Sequence, residues 1–194
     1  DDDDYMDRFV PGSRDIPDGP KLGKVDYTGL SLQEELPTRW DSREKGWVPN
    51  LRNQGSRGTC WAHAAVATAE ISQVRRGIVS SNSVDYSEAQ LAYFEYNYQL
   101  DPLGGTTGDV SSYDIAMTLN DSDSIYNMGG NEYLNSNVMG NWIGIADESK
   151  FPYENALKDN VPDVQLARDD VVHMTEARWL AKTDITAIKQ CIID

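Results

Sequence analysis

A ten-residue segment around Cys60 constrains the fold of this chain more than any other feature. A polar turn over residues 53–59, which contains two glycines, leads into Cys60, and an alanine-rich run follows as far as Arg76. The apolar residues of this run share one side of a helix: Ala62, Ala65, Val66, Ala69 and Val74. Gly77 then supplies a stop signal. The segment predicts a helix that begins at or just before Cys60, so that a single cysteine lies in its first turn.

The predicted position of Cys60 suits nucleophilic chemistry. Free backbone N–H groups and the dipole at a helix N-terminus favour a thiolate, which is the nucleophilic form of cysteine. Gln54 lies six residues earlier, so its amide can fold back beside the sulfur and stabilise an oxyanion. Trp61 is expected to pack under or beside the cleft. The alternative is a buried structural cysteine with Gln54 in a turn contact, and spacing alone does not decide between the two.

Two more helices are predicted between residues 86 and 142. A capping box marks the first of them, with Ser87 as the N-cap, Gln90 at the third helical position, and Tyr86 stapled onto Leu91. The next follows Gly129-Gly130-Asn131, because apolar residues then recur every four positions: Leu134, Val138 and Trp142.

The C-terminal residues 170–194 are predicted to form a strand and then a helix. Residues 170–180 alternate loosely between polar and apolar, which favours a strand with Val172 and Met174 on one side. The helix should cover residues 184–193 and carry one isoleucine face: Ile185, Ile188 and Ile192. Cys191 on this helix is expected to be a small core residue.

The remaining segments divide the chain into a leader and a helical domain. Residues 1–35 contain seven prolines and glycines, which indicates an extended leader or a remnant pro-region. Residues 36–169 are expected to form the helical domain, with a long polar loop at 101–127. Within that loop, residues 121–124 match part of a calcium-loop pattern but lack its glycine and distant glutamate, so a solvated loop is favoured.

Composition narrows the classes of partner. The 194 residues include 17 basic and 32 acidic side chains, and a net charge of −15 disfavours nucleic acid and anionic membranes. No apolar run approaches the roughly 20 residues of a membrane-spanning helix. The chain has two cysteines and two histidines, whose spacing does not resemble a zinc finger: Cys60, His63, His173 and Cys191. We therefore expect no metal and no other cofactor.

Several of these segments together resemble the papain-like cysteine peptidases. Residues 54–62 have the sequence Gln-Gly-Ser-Arg-Gly-Thr-Cys-Trp-Ala, which is similar to the family's nucleophile motif. Further similar segments follow in the family's order: Leu36-Pro37, Trp40-Asp41-Ser42-Arg43, Tyr86 to Leu91, Gly129-Gly130-Asn131, Phe151-Pro152-Tyr153 and Asp184 to Ile193. The resemblance covers about residues 36–194. It implies an α+β, papain-like fold, with a mainly helical left lobe and only the first elements of a β-rich right lobe at 170–194.

The resemblance also implies roles for single residues. Cys60 would attack a peptide carbonyl, and Gln54 with the backbone N–H of Cys60 would form the oxyanion hole. Glycine permits the close backbone approach that pairing with an extended peptide needs. The residues expected to bind substrate are Gly129, Gly130, Trp61 and Gly58.

The chain departs from the family pattern at two positions near Cys60. Arg57 stands where the family usually has a disulfide-bonded cysteine, which we take to favour a bacterial member. His63 stands at a position that is usually phenylalanine, so it is expected to pack in the core or support the site rather than to act as the base.

The family's catalytic histidine and orienting asparagine are expected roughly 130–150 residues after the nucleophile. Neither occurs here in its usual sequence context, and His173 is expected to be structural. The chain is therefore predicted to be the nucleophile-bearing part of a cysteine endopeptidase, inactive alone, with the remainder of the protein or a second chain as its partner. Peptides or proteins would be its substrates.

The alternative is a non-catalytic papain-like binding or surface module. Retention of both Gln54 and Cys60 argues against it. A thiol oxidoreductase fits poorly, because no Cys-x-x-Cys is present. A secreted or cell-surface location is expected, since a broad peptidase is hazardous inside a cell.

Overall fold

The computed structural model of the chain describes residues 35–97, 124–140, 143–169, 171–177, 180 and 183–193. Five α-helices lie in these ranges: α1 (Cys60–Arg75), α2 (Glu88–Tyr96), α3 (Glu132–Gly140), α4 (Glu154–Leu157) and α5 (Ile185–Ile193). One short 3-10 turn precedes α1, and three more lie between later helices: Ser42–Lys45, Ile125–Asn127, Glu148–Lys150 and Val164–Ala167. None of the helices in the described part of the chain is both long enough and apolar enough to cross a membrane.

Helix α1 confirms the prediction made from the Cys60 segment. It begins at Cys60 and ends at Arg75, and Gly77 follows with a φ of 69°. The Gly77 amide donates to the carbonyl of Val74 at 3.0 Å, which satisfies one of the carbonyls left without a partner at the helix end. The helix packs against α2 and α3.

Helix α2 begins with the predicted cap but not with the predicted box. The hydroxyl of Ser87 accepts from the amide of Gln90 at 3.1 Å and donates to the carbonyl of Phe151 at 2.6 Å. The Gln90 side chain does not return to Ser87. It donates to the carbonyls of Gly144 and Leu166 at 3.2 and 3.3 Å, because a fully buried amide must satisfy the backbone groups that surround it.

The hydrophobic core lies among α1, α2, α3 and the segments that follow them. Its apolar side chains include Trp61, Val66, Leu91, Phe94, Tyr126, Val138, Ile143 and Ile145. Helix α3 confirms the prediction of a helix after Gly130, and Val138 is its fully buried member. The side chain of Leu134 and the whole of Trp142 lie outside the described part.

The predicted strand at 170–180 is not found within the described ranges. Val172 instead makes an isolated antiparallel bridge to Ile145, with the Ile145 amide donating to the Val172 carbonyl at 2.9 Å. A second isolated bridge joins Tyr86 to Asp147. A segment with alternating polar and apolar residues forms a strand only when a neighbouring segment pairs along its length. Here the pairing stops at one bridge. The β-rich right lobe is therefore not confirmed.

Helix α5 is present over Ile185–Ile193, but its fully buried residues do not lie on the isoleucine face. Ala187 and Gln190 are buried, whereas Ile185 and Ile192 on the opposite side are 55% and 52% exposed. Cys191 is also exposed, so it is not the core residue that was predicted. The buried side chains of α5 are therefore a small and a polar one, and Ile188 is half-buried.

Two predicted segments fall largely outside the described ranges. The leader at 1–35 is described only at Glu35, and the polar loop at 101–127 only over residues 124–127. The expectation of a solvated loop at residues 121–124 therefore remains a prediction.

Candidate active site

Cys60 is exposed at the first position of α1. Thr59 precedes it as the N-cap, and the Thr59 side chain is fully buried without capping the helix. The backbone N–H groups of the first helical turn have no partner within the helix, and the dipole of a 16-residue helix favours negative charge beside them. The predicted position of Cys60, in the first turn of a helix, is therefore present in the structure.

Gln54 is held inside the turn that leads to Cys60. Its side-chain amide nitrogen donates to the carbonyl of Arg57 at 2.7 Å, and the Arg57 amide donates to the carbonyl of Gln54 at 3.3 Å. Gly55 supplies the left-handed conformation that the turn needs, with a φ of 62°. A glutamine side chain carries two N–H donors, and the bond to Arg57 uses one of them.

Gly58 and Trp61 are joined to each other and to the segment around Tyr126 by hydrogen bonds. The Gly58 amide donates to the carbonyl of Tyr126 at 2.9 Å and lies 3.3 Å from the side-chain oxygen of Asn127. The Trp61 indole N–H donates to the carbonyl of Gly58 at 3.2 Å. Trp61 is only 6% exposed, so its indole packs inside the protein against the backbone of the turn.

Gly130 lies directly against that indole. A Cβ built at Gly130 would fall 2.4 Å from Trp61 Cδ2, and the φ of Gly130 is 151°, a conformation that favours glycine. The carbonyl of the neighbouring Gly129 accepts from the Tyr96 hydroxyl at 2.9 Å. The structure thus brings Gly58, Trp61 and Gly130 together, and their contact with substrate stays a prediction.

Tyr153 connects the two ends of the turn. Its hydroxyl donates to the carbonyl of Gln54 at 2.8 Å and lies 2.5 Å from the hydroxyl of Thr59. The backbone amide of Tyr153 donates to Glu148 Oε1 at 2.6 Å. Tyr153 belongs to the Phe151-Pro152-Tyr153 motif of the sequence, but the motif indicates no function for it.

The ring of His63 contacts Thr59, Tyr153 and Glu88. Its Nδ1 lies 3.0 Å from the Thr59 carbonyl, its ring packs edge-on against Tyr153, and its Nε2 is 4.0 Å from Glu88 Oε1. Burial lowers the pKa of His63, the Thr59 contact raises it, and the charge of Arg52 lowers it further. These contacts confirm the prediction that His63 packs beneath the site.

A group of buried carboxyls around Arg52 was missed from the sequence. Arg52 lies 2.6 Å from Glu70 and 3.6 Å from Glu88, both nearly fully buried, and 2.8 Å from the exposed Asp85. Burial raises the pKa of Glu88 to about 7 and that of Glu148 to about 7. The available signal was Glu70, which continues the helical row of Ala62 and Val66 at steps of four.

His173 lies in a groove of about 450 Å³ on the other side of α1, together with Ala65, Ala69, Met139 and Val172. Within the described residues, no group of three or more His, Cys, Asp or Glu side chains is arranged to hold a metal ion.

Comparison with known proteins identifies the class. The sequence model of the papain family cysteine proteases matches residues 36–193. The chain therefore belongs to the papain family of cysteine proteases. No solved structure matches the chain.

The relatives give a more detailed comparison. A cysteine protease of Blomia tropicalis is 29% identical over 152 residues, which are 75% of this chain and 44% of the relative. The oryzain beta chain of Oryza sativa subsp. japonica is 43% identical over 67 residues, 34% of this chain and 14% of the relative. Papain of Carica papaya is 41% identical over 81 residues, 38% of this chain and 22% of the relative. The chain thus spans less than half the length of each.

These relatives come from a mite and from plants, so the expectation of a bacterial member is not supported. The absence of a cysteine at position 57 was its only basis, and one missing bridge is a weak marker of origin.

Proposed function

We propose that this chain carries the nucleophile of a cysteine endopeptidase. The observation that carries the proposal is the exposed Cys60 at the first position of α1, directly after a turn that fixes Gln54. Membership of the papain family supports the same reaction class. Peptides or proteins are the substrates, and no cofactor is required.

The proposed reaction has two steps. The Cys60 thiolate attacks the peptide carbonyl carbon, and the resulting oxyanion collapses to a thioester as the amine leaves with a proton from a general acid. Water then attacks the thioester and loses a proton to the same group acting as a base. Collapse releases the carboxylic acid and the Cys60 thiolate, which restores the starting thiolate and the protonated general acid. The second N–H of the Gln54 amide and the backbone N–H of Cys60 stabilise the oxyanion in both steps.

The substrate is proposed to lie along the backbone of Gly129 and Gly130. Gly130 cannot carry a side chain without meeting Trp61, so its backbone lies directly against the residue that follows Cys60. Trp61 and Gly58 act in this account by holding that backbone in place.

The general acid and base is proposed to be a histidine, oriented by an asparagine, from the remainder of the protein or from a second chain. The Nδ1 atom of His63 contacts the Thr59 carbonyl, and its Nε2 atom lies 4.0 Å from Glu88, which makes His63 a poor candidate. The 194-residue chain should therefore show no turnover alone. We also propose a secreted or cell-surface location, which fractionation of the producing cells would test.

Peptide hydrolysis tests the proposal. A longer natural form of the protein should hydrolyse an unstructured protein substrate, and Cys60→Ala should abolish turnover while Cys191→Ala leaves it unchanged. Cys191 is a matched control because it is the other exposed free cysteine of the described residues. Equal turnover by Cys60→Ala and the parent protein would leave a non-catalytic papain-like module as the better account.

A further inference from the structure

We propose that Tyr153 is a positioning residue for the oxyanion hole, because its hydroxyl ties the backbone of Gln54 to Thr59, the residue that precedes the nucleophile. This inference rests on the proposed function of Cys60 and Gln54. Tyr153 itself touches neither the substrate nor the reacting atoms in this account.

The hydrogen bonds have a single consistent direction. The carbonyl of Gln54 can only accept, so the Tyr153 hydroxyl donates its one proton there, over 2.8 Å. The Thr59 hydroxyl, 2.5 Å away, must then be the donor to the Tyr153 oxygen. The result is a directed chain from Thr59 through Tyr153 to Gln54.

These hydrogen bonds join the two ends of a turn whose backbone is conformationally free. Gly55 and Gly58 lie between Gln54 and Thr59, and glycine is the most conformationally free residue. Tyr153 approaches from 94 and 99 residues away in sequence and contacts both ends of that turn. A restraint of this kind fixes the distance between the Gln54 amide and the start of α1.

Tyr153 is itself held from two further directions. Its backbone amide donates to Glu148 Oε1 at 2.6 Å, and its ring meets the ring of His63 edge-on at 4.8 Å between centroids. His63 in turn contacts the Thr59 carbonyl at 3.0 Å. The tyrosine is therefore a fixed support rather than a surface side chain that happens to reach the turn.

The consequence belongs to the transition state. An oxyanion forms only after attack, so a displaced Gln54 amide should lower kcat while KM stays nearly constant. Loss of the whole donor from such a site costs roughly 10²–10³-fold in kcat, so loss of its positioning should cost about tenfold.

The kinetic test uses the longer natural protein. Tyr153→Phe should lower kcat about tenfold with little change in KM. Tyr126→Phe is the matched control, because it also removes one hydroxyl that donates to a carbonyl, that of Asn160 at 2.7 Å. Equal kcat values for the two variants, or a change in KM alone, would overturn the inference.

Two further measurements separate this inference from its premise and from a folding defect. In the 194-residue chain, Tyr153→Phe should shift the side-chain amide NMR signals of Gln54, and Tyr126→Phe should not; unchanged signals for both overturn the positioning role even if no peptidase activity exists. Thr59→Ser keeps the hydroxyl and should have the wild-type kcat, whereas Thr59→Val removes it and should have a lower kcat.

The fall in kcat caused by Thr59→Val should be smaller in a Tyr153→Phe background, because the partner hydroxyl is already gone. Additive effects of the two substitutions would contradict the directed series of hydrogen bonds. If Cys60→Ala stays active, the proposed function fails instead.

Discussion

Arg57 and Asp159 form an ion pair across the turn that precedes the nucleophile, with 2.7 Å between the guanidinium and the carboxylate. Arg57 also donates to the carbonyl of Leu157 at 2.8 Å. In the family that this chain resembles, a disulfide-bonded cysteine usually stands at this position. The turn is therefore joined to the segment after α4 by charge and hydrogen bonds rather than by a covalent bridge.

Arg57→Ala should destabilise the fold by about 1 kcal/mol, because Asp159 is half exposed and exposed pairs contribute little. Asp159→Asn should cost less, since the Leu157 contact survives. Urea unfolding at low and high salt measures both. Arg43→Ala, which breaks a pair with Asp41 whose arginine is 79% exposed, is the control and should change the midpoint less. An Arg57→Ala midpoint equal to that of the control would contradict this account of the turn.

Glu88 should make stability depend on pH. Burial raises its pKa from an ordinary 4.5 to about 7, with Arg52 lowering it and Glu70 and Asp85 raising it. Because the folded state holds the proton more tightly, its contribution is complete below pH 4.5 and is lost as the pH rises towards 7. Glu88→Gln should therefore gain stability relative to wild type across that window and level off above it.

Urea unfolding between pH 4 and 8 measures the difference between the two proteins. Glu154→Gln serves as the control, since the pKa of Glu154 is lowered by Lys158 and any effect should have the opposite sign. A difference that does not change with pH would show that Glu88 carries no extra proton in the folded state.

His63 should oppose Glu88 in the same pH range. Its pKa is lowered from 6.5, chiefly by burial, so its contribution is present at neutral pH and is lost as the pH falls below 6.5. Nε2 has no hydrogen-bond partner among the described residues. His63→Phe keeps an aromatic ring against Tyr153 and should gain stability relative to wild type between pH 7 and pH 5. Unfolding followed by tryptophan fluorescence measures the stability of both proteins at each pH. The same pH dependence of stability in the two proteins would refute the expected role of His63.

Gly130→Ala should be strongly destabilising, because the new Cβ would lie 2.4 Å from the Trp61 ring on a backbone with a φ of 151°. We expect a loss of about 3 kcal/mol. Gly140→Ala is the control, since no atom outside its own helix lies within 4 Å of a Cβ there. Thermal unfolding compares them, and similar midpoints would mean that Trp61 does not pack against Gly130.

Local signals explain what could be predicted from sequence. The start of α1 at Cys60, its end before Gly77 and the Ser87 cap all depend on neighbours within a few residues, and all three are confirmed. The family resemblance over 54–62 added the expectation that Gln54 and Cys60 work together.

Contacts between distant segments explain what could not be predicted. Gln90 turns to carbonyls 54 and 76 residues away, and Tyr153 reaches a turn 94 and 99 residues away, so no local pattern marks either. The alternation at 170–180 predicts a strand whose partner would have to be supplied by tertiary pairing. Cys191 is exposed although it lies one helical turn after the buried Ala187, so helical spacing alone does not predict its burial.

The most direct test of the central claim is the site at which a peptidyl epoxide attaches to the full-length protein, mapped by mass spectrometry of tryptic peptides. The account predicts one label per molecule, on Cys60, with none on Cys191 and none anywhere in the Cys60→Ala variant. Equal labelling of the two cysteines, or labelling that persists in Cys60→Ala, would contradict the assignment of Cys60 as the nucleophile.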